Sequence, residues 1–202
     1  LDNPPEHISA YSLIMEEGTP FAKLESEGRL ELPTEDAERK MYEETERFLR
    51  QQGFLRYEIS NYAREGFACR HNVGYWTRVE YLGLGVGAAS LMGEGRFSNG
   101  QDLGAYLKQP MSVRGRIHRL DGKEQMEEFC FLGLRLTQGI SEQNFLEQFG
   151  ITLMEVYGEV IRKNLENALL TFTETQGGDR RLALTPRGLD LANYVMAQFL
   201  LD

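Results

Sequence analysis

The chain has few cysteines, an excess of negative charge and no long apolar run. Its two cysteines, Cys69 and Cys130, are too few for a disulfide framework, which favours a reducing, cytoplasmic environment. No apolar stretch approaches the roughly 18 residues that a membrane-spanning helix needs. The formal net charge of −9 argues against general binding to nucleic acids or anionic membranes, because both select positive surfaces.

The chain also begins without a methionine or a secretory leader. Its first residues, LDNPP, lead directly into an apolar run. A proline-marked loop in this position is typical of the interior of a longer protein. We therefore expect these 202 residues to be the C-terminal part of a longer polypeptide.

The first part of the chain has the pattern of an α/β protein. Residues 8–15, ISAYSLIM, are apolar at nearly every position, which predicts a strand buried on both faces of a parallel sheet. A helix is predicted from the N-cap Thr34 to residue 52, just before Gly53. Its buried side is expected to carry Met41, Phe48 and Leu49. Residues 54–62 form the next predicted strand, which completes a βαβ unit with a right-handed crossover.

The middle of the chain is expected to be irregular, because glycine and asparagine are frequent there. A short strand is predicted at residues 80–85 and a short helix at 102–108. Residues 114–121 have the basic character of a linker. We place a domain boundary in this region, which gives domains at residues 1–111 and 112–202.

The tail is predicted to be a winged-helix-like arrangement of three helices, a hairpin and a closing helix. The predicted elements are a helix from Lys123 to Gly139, a short helix capped by Ser141, a helix over residues 153–167, a hairpin over 169–184 and a last helix from Thr185 to about residue 201. Residues 112–202 carry ten Lys and Arg against thirteen Asp and Glu. Phosphate contacts need basic faces, so the tail is interpreted as a lid or packing domain and not as a DNA reader.

One stretch, residues 57–90, contains the unusual side chains of the sequence. Cys69 and His71 lie two residues apart, and a thiolate and an imidazole could ligate haem iron or a transition metal. The alternative is a hydrogen-bonded packing histidine, since one Cys and one His are too few for a four-ligand zinc site. Tyr75 and Trp76 follow at once and favour a planar ligand, because aromatic rings stack on such ligands.

The same stretch ends in a glycine-rich run, GLGVGAAS, at residues 83–90. Glycines at the end of a strand allow a ligand to approach closely, and α/β sheets place their sites at that edge. The spacing is tighter than in a dinucleotide fingerprint, and the acidic partner is missing. A tight strand-to-loop turn is an equally good interpretation of the glycines.

Four blocks of the sequence resemble a known family. HISAYSLIMEEGTPF, YEISNYA, CRHNVGYW and YLGLGVGAAS resemble the C-terminal half of the HemW family, in the radical-SAM group of oxygen-independent coproporphyrinogen III oxidase-like proteins. The resemblance extends over essentially the whole chain. HNVGYW, residues 71–76, resembles the HNxxYW motif that distinguishes the HemW branch from the oxidase branch, and residues 123–202 resemble the family's C-terminal helical domain.

The resemblance implies an α/β fold class with two parts. Residues 1–111 would be the C-terminal part of a partial (β/α)6 radical-SAM barrel, and residues 112–202 an α-helical, winged-helix-like domain. The whole protein would use S-adenosylmethionine and a [4Fe–4S] cluster, whose cysteine ligands lie in a motif that this chain lacks. The resemblance implies S-adenosylmethionine contacts from Ile14, Gly85, Gly87 and Ala89. It implies haem contacts from His71 first, and then from Cys69, Tyr75 and Trp76.

Two functions follow from the resemblance. The first is a haem chaperone that binds haem and transfers it to an acceptor protein, and the HNxxYW block favours it. The alternative is an oxidase that decarboxylates coproporphyrinogen III to protoporphyrinogen IX through a 5′-deoxyadenosyl radical. A third interpretation, a domain that binds neither haem nor cofactor, stays open, as does a homodimer. By itself the chain is expected to catalyse nothing.

Overall fold

The computed structural model describes residues 4–201, which form two compact units. The first unit contains residues 4–69 and the second residues 70–201. Both units mix helices with small antiparallel sheets. The domain boundary that the sequence suggests at residue 111 remains a prediction. None of the helices in the described part of the chain combines the length and the apolar character that crossing a bilayer requires.

The sheet of the first unit is antiparallel, where a parallel βαβ unit was predicted. Its strands are β1 (His7–Ser9), β2 (Leu55–Arg56) and β3 (Asn61–Ala63), in the order β1-β3-β2. Both pairings are antiparallel, so β1 and β2 point in the same direction with β3 inserted between them. Helices α1 (Pro20–Ser26) and α2 (Glu35–Gln51) connect β1 to β2. A helical connection between the parallel strands β1 and β2 therefore exists, but β3 lies between them in the sheet.

A buried carboxylate divides the strand that the sequence predicts at residues 54–62. Glu58 is 1% exposed and accepts hydrogen bonds from the Ser60 N–H at 2.6 Å and the Asn61 side-chain amide at 2.7 Å. Arg56 donates to the carbonyl of Ile59 in the same turn. The chain therefore reverses at Glu58 and forms the hairpin of β2 and β3.

The apolar run at residues 8–15 is not a strand buried on both faces, so that prediction was wrong. The pairing with β3 ends at Ser9, and the last sheet-like bond joins the N–H of Ala10 to the carbonyl of Ser60. β1 is an edge strand, and the chain beyond it leaves the sheet. The side chains that follow are consequently exposed: Tyr11 at 71%, Leu13 at 61% and Ile14 at 78%.

Helix α2 begins and ends where its sequence signals predict. The Thr34 hydroxyl accepts a hydrogen bond from the N–H of Ala37, and Gly53 follows the helix with a φ of +82°. Leu49 is buried as predicted, but Met41 and Phe48 are exposed. The unit's buried cluster consists of Leu49, Phe54 and Tyr62, which covers only a narrow stripe of the helix.

The second unit begins with a short helix and a three-stranded sheet. Helix α3 (Arg70–Trp76) precedes β4 (Ala89–Met92), β5 (Gly95–Ser98) and β6 (His118–Arg119), which pair in that order. Helix α4 (Leu103–Lys108) was predicted at residues 102–108, and the Asp102 side chain caps it. The strand predicted at residues 80–85 is reduced to one bridge between Tyr81 and Leu91. Beyond this bridge, the backbone N–H and C=O of Gly83 bond to side chains and not to a neighbouring strand.

The rest of the second unit is the predicted winged-helix-like arrangement. Its elements are α5 (Gly122–Gly133), β7 (Ile140–Ser141), α6 (Glu142–Phe149), α7 (Leu153–Glu166), β8 (Leu170–Glu174), β9 (Arg180–Leu184), α8 (Pro186–Asp190) and α9 (Ala192–Ala197). The sheet order is β7-β9-β8. Helix α5 ends at Gly133 instead of Gly139, and the closing helix is interrupted at Leu191.

Helix α5 connects the core of this arrangement to the part of the unit that precedes it. Cys130 and Leu134 on one of its faces are fully buried among the aromatic side chains of the core, such as Phe145 and Tyr157. Glu128 and Leu132, one turn apart, lie on another face, which turns towards the small sheet and helix α3. This second face forms part of the candidate site.

Candidate functional site, an aromatic pocket beside a glycine loop

Helix α3 places the predicted aromatic residues together. His71 and Tyr75 are four residues apart on the helix and therefore share a face. Their ring centroids are 4.4 Å apart with an interplanar angle of 69°, an edge-to-face contact. Tyr75 meets Tyr81 in the same way at 4.6 Å and 79°. Three rings thus form a continuous apolar wall.

This wall borders a pocket of about 600 Å³, which we call the aromatic pocket. Its volume lies within the range that is usual for small-molecule sites. The residues around it come from α3, the loop before β4, β4 and β5 themselves, and α5: His71, Tyr75, Trp76, Tyr81, Leu82, Gly83, Leu84, Ala88, Ala89, Arg96 and Leu132. The pocket is therefore mainly apolar and aromatic, with few polar groups.

Residues 83–89, here called the glycine loop, form one side of the pocket and are fixed by side chains. The buried Ser90 hydroxyl accepts a hydrogen bond from the Gly83 N–H at 2.9 Å. The Asn99 amide donates to the carbonyls of Gly83 at 3.2 Å and Gly85 at 2.9 Å. The Tyr106 hydroxyl accepts from the Gly85 N–H at 2.8 Å. The loop is thus held in one conformation by three surrounding side chains.

Two glycines of the loop are required by its geometry. Gly85 has a φ of +109°, a backbone conformation that other residues rarely adopt. A Cβ atom added to Gly83 would collide with the carbonyl oxygen of Ala89. The glycines are therefore needed for a tight turn, which was the alternative interpretation of the sequence. The loop also borders the pocket.

A cluster of three charged residues lies behind the pocket. Glu128 on α5 accepts from Arg78 Nε at 3.2 Å and from Arg96 Nη2 at 3.0 Å, and Arg96 Nε also contacts its second oxygen. The side chains are 11% exposed for Glu128, 9% for Arg78 and 29% for Arg96. Hydrogen bonding to Glu128 raises the pKa of Arg96, whereas burial lowers the pKa of Arg78. One carboxylate therefore faces two guanidinium groups.

Arg96 is the residue of this cluster that borders the pocket. It lies on the pocket wall, and its Nη1 donates to the Tyr81 hydroxyl at 3.3 Å. The described residues that line the pocket include no carboxylate. The pocket thus combines aromatic surfaces, one imidazole and one cation, which suits a flat anionic ligand.

Trp76, at the end of α3, lies on the walls of three cavities. Besides the aromatic pocket it borders one of about 410 Å³ and one of about 320 Å³. The Arg135 guanidinium lies 4.2 Å from the centre of its ring, a cation–π contact. Its indole N–H is buried and has no hydrogen-bond partner among the described residues.

The structure brings some of the predicted site residues together and separates others. His71, Tyr75, Trp76 and Ala89 all line the aromatic pocket. Gly85 and Gly87 belong to the glycine loop but do not line the pocket. Ile14 and Cys69 belong to the first unit, whereas the other predicted ligand-contact residues belong to the second. The roles assigned to these residues remain predictions.

Five residues that fix the site were not predicted from the sequence. These are Tyr81, Arg96, Asn99, Tyr106 and Glu128. One signal was available, since Met92-Gly93-Glu94-Gly95 is a two-residue hairpin turn with Gly93 at a φ of +56°. Recognising that hairpin would have placed Arg96 on a strand beside the glycine loop.

The described residues do not fit an iron–sulfur cluster. Such clusters need several cysteine thiolates, and the two cysteines here lie in different units. Cys130 is fully buried, and burial raises the pKa of its thiol well above the ordinary value. Within residues 4–201, no group of three or more His, Cys, Asp or Glu side chains could hold a metal ion.

Comparisons with known proteins agree with the sequence resemblance. The model of the HemN C-terminal domain matches residues 120–191. The chain is 37% identical over 197 residues to the haem chaperone HemW of Lactococcus lactis, which covers 97% of the chain and 51% of that protein. It is 36% identical over 199 residues to HemW of Bacillus subtilis, with coverages of 96% and 51%. The chain thus spans about half the length of the curated relatives it matches.

A solved structure shares the fold. The coproporphyrinogen III oxidase HemN of Escherichia coli, a radical SAM enzyme, superimposes with a TM-score of 0.67 over 98% of this chain and 48% of that one. The sequence identity is 16%, so the likeness concerns the fold alone. The predicted fold class is confirmed at this level: a mixed α/β chain that corresponds to part of HemN and contains the HemN C-terminal domain.

Proposed function

Because this chain belongs to the HemN/HemW family of radical-SAM proteins, we propose that it forms the haem-binding part of a haem chaperone. The observation that carries the proposal is the aromatic pocket, where His71 and two tyrosines form a wall beside Arg96. Two relatives named haem chaperones, from Lactococcus lactis and Bacillus subtilis, are 36–37% identical over nearly the whole chain. Transfer of the bound haem to an acceptor protein is part of this proposal.

The chemistry of the pocket supports haem. Haem is a flat, mainly apolar ring with an iron at its centre, and imidazole is a common iron ligand. His71 supplies an exposed imidazole at the start of α3, and Tyr75 and Tyr81 supply apolar ring surface next to it. An exposed site with one protein ligand holds its ligand less firmly than a closed one, which suits a protein that passes haem on.

S-adenosylmethionine belongs to the proposal for the whole protein. Ile14, Gly85, Gly87 and Ala89 are its proposed contacts. Cys69, partly exposed, is the second candidate for contact with haem. The [4Fe–4S] cluster would need cysteines other than the two in this chain.

The alternative function, oxidation of coproporphyrinogen III, has weaker support. It rests on the likeness of fold to HemN of Escherichia coli, a protein only 16% identical to this chain. A porphyrinogen would fit the same aromatic pocket as haem, because both are large macrocycles with carboxylate side chains.

Further partners and the location of the protein are also proposals. Tyr11 and Leu13 of the first unit are exposed apolar side chains, and a homodimer would cover them. Both cysteines are free thiols, which supports a reducing compartment such as the cytoplasm.

The proposed function is tested by titrating the chain with haemin and following the Soret absorbance. We expect saturable binding, and we expect His71→Ala to weaken it by about tenfold or more, since even indirect partners of a metal site contribute that much. His118→Ala is the matched control, because His118 is an exposed histidine of the same unit that pairs with Glu124 and does not line the pocket.

Two results would contradict the proposal at different points. Equal affinity and an equal Soret position in wild type and His71→Ala would remove the role of His71. Absence of saturable haemin binding by the wild-type chain would remove the haem site from this chain altogether.

A further inference from the structure

Arg96 is the cation that the fold presents to the aromatic pocket. Its side chain extends from β5 and is 29% exposed, and it borders the pocket together with the three rings in edge-to-face contact. Glu128 lies behind it and Tyr81 beside it, so the guanidinium is held in a fixed orientation. A fixed guanidinium at the edge of a flat apolar pocket is a typical carboxylate-binding arrangement.

The charges around Arg96 do not balance. Glu128 is shared by Arg78 and Arg96, so one negative charge faces two positive charges. Arg78 is nearly buried and borders the 410 Å³ cavity, not the aromatic pocket. The excess positive charge is therefore accessible where Arg96 meets the aromatic pocket. An anionic ligand would offset the cost of holding this charge away from water.

The hydrogen-bond donors of Arg96 also favour an anionic ligand. A guanidinium has five N–H groups. Two of them are directed to Glu128, from Nε and Nη2, and one from Nη1 to the Tyr81 hydroxyl. Two N–H groups remain, one on each terminal nitrogen, and each can donate to a carboxylate oxygen.

We propose that Arg96 binds a carboxylate of the ligand in the aromatic pocket, so that the pocket selects flat macrocycles with free carboxylates over the corresponding esters. The inference rests on the proposed function, because it assumes a macrocycle on the wall formed by His71 and Tyr75. It adds the chemical feature by which the ligand is selected and oriented: the ring lies against the aromatic wall, and the acidic edge of the ring faces Arg96.

The experiment compares haemin with haemin dimethyl ester in the same mixed aqueous buffer, by absorbance titration of the 202-residue chain. Wild type is expected to bind haemin about tenfold more tightly than the ester, since a hydrogen bond to a charged group is worth at least that factor. Arg96→Gln is expected to bind both ligands with the affinity of wild type for the ester. Arg96→Lys retains the charge and is expected to recover part of the preference.

Arg78→Gln is the matched control. It removes the other guanidinium from the same carboxylate without changing the wall of the aromatic pocket. It lowers the local positive charge but keeps the N–H groups of Arg96, so its preference for haemin should fall less than that of Arg96→Gln. Circular dichroism of each variant checks that the fold is retained.

The outcomes separate this inference from the proposed function. If wild type binds haemin and its ester equally, or if Arg96→Gln keeps the preference, the inference is overturned while the haem site stands. If Arg78→Gln loses the preference as Arg96→Gln does, the effect is structural and the inference is overturned too. If wild type binds neither ligand, both proposals are overturned.

Discussion

Asn99 joins β5 to the glycine loop through one side-chain amide. Its NH2 group donates to the carbonyls of both Gly83 and Gly85, and its place directly after β5 fixes it relative to Arg96. Both the conformation of the loop and the position of the cation beside the pocket therefore depend on the same strand.

This role predicts the effect of a substitution that keeps the shape of the side chain. Asn99→Asp cannot donate to the two carbonyls and places a negative charge beside them. We expect the free energy of unfolding to fall by about 1–3 kcal/mol, because two partly buried acceptors lose their donor. Urea denaturation measures this, with Asn193→Asp at an exposed position of α9 as the control. An Asn99→Asp midpoint equal to that of the control would contradict the role of Asn99.

At this scale the sequence identified one side of the site and missed the other. His71, Tyr75 and Trp76 are neighbours along the chain, so their proximity in space follows from a single helix. Glu128 lies 32 residues from Arg96 and 50 from Arg78 along the chain, and their contacts depend on how α5 packs. No local pattern encodes such a contact, and a single sequence gives no other source for it.

Several helices begin where short polar residues cap them. Thr34, Ser141, Thr152 and Thr185 each accept a hydrogen bond from the backbone N–H of the third residue of their helix. At the start of α7, Glu155 accepts in return from the Thr152 N–H at 2.9 Å and hydroxyl at 2.6 Å. These bonds, chiefly the one from the hydroxyl, lower the pKa of Glu155 below its ordinary value of 4.5.

The lowered pKa gives a pH-dependent prediction for α7. Because the folded state favours the ionised carboxylate, Glu155 contributes stability above pH 4.5, and the contribution is lost as the pH falls through the lowered folded pKa. Glu155→Gln should therefore be less stable than wild type at pH 7, and the difference should shrink below pH 4.5. Thermal melts between pH 7 and pH 3 measure it, with Glu159→Gln, an exposed position on α7, as the control. A difference that is constant over this range would contradict the prediction.

Helices were easier to predict than strands for a physical reason. A cap and the residues it bonds lie within one turn, so α2, α4 and α7 could be placed from adjacent residues. The hairpin of β8 and β9 was also predictable, because its turn residues lie between the two strands. β1 pairs with β3 more than fifty residues away, and an apolar run gives no information about which strand will pair with it.

The two units differ in how much apolar surface they bury. The first unit has a small buried cluster and leaves large side chains such as Tyr11, Leu13 and Phe48 exposed. The second buries a much larger set from α5 to α9, including Phe145, Ile161 and Phe199. Exposed apolar surface of this kind tends to associate with other surfaces.

We therefore predict concentration-dependent self-association through the first unit. Sedimentation velocity of the wild-type chain should give a coefficient that rises with concentration, and replacing Tyr11 by Ser and Leu13 by Gln should reduce the rise. Leu107→Gln is the control, since Leu107 is 72% exposed on α4 in the second unit. A wild-type chain that sediments as a monomer at every concentration would contradict this prediction and the proposed homodimer.

The position of Trp76 has a spectroscopic consequence. It is the single tryptophan of the chain, so the intrinsic fluorescence excited near the red edge of protein absorption comes from one known place. That place borders the aromatic pocket and two further cavities. A haem bound there would quench the emission by energy transfer, whereas a colourless ligand would shift its wavelength by displacing water. The chain thus contains its own optical probe, whose signal distinguishes a coloured from a colourless ligand without any added label.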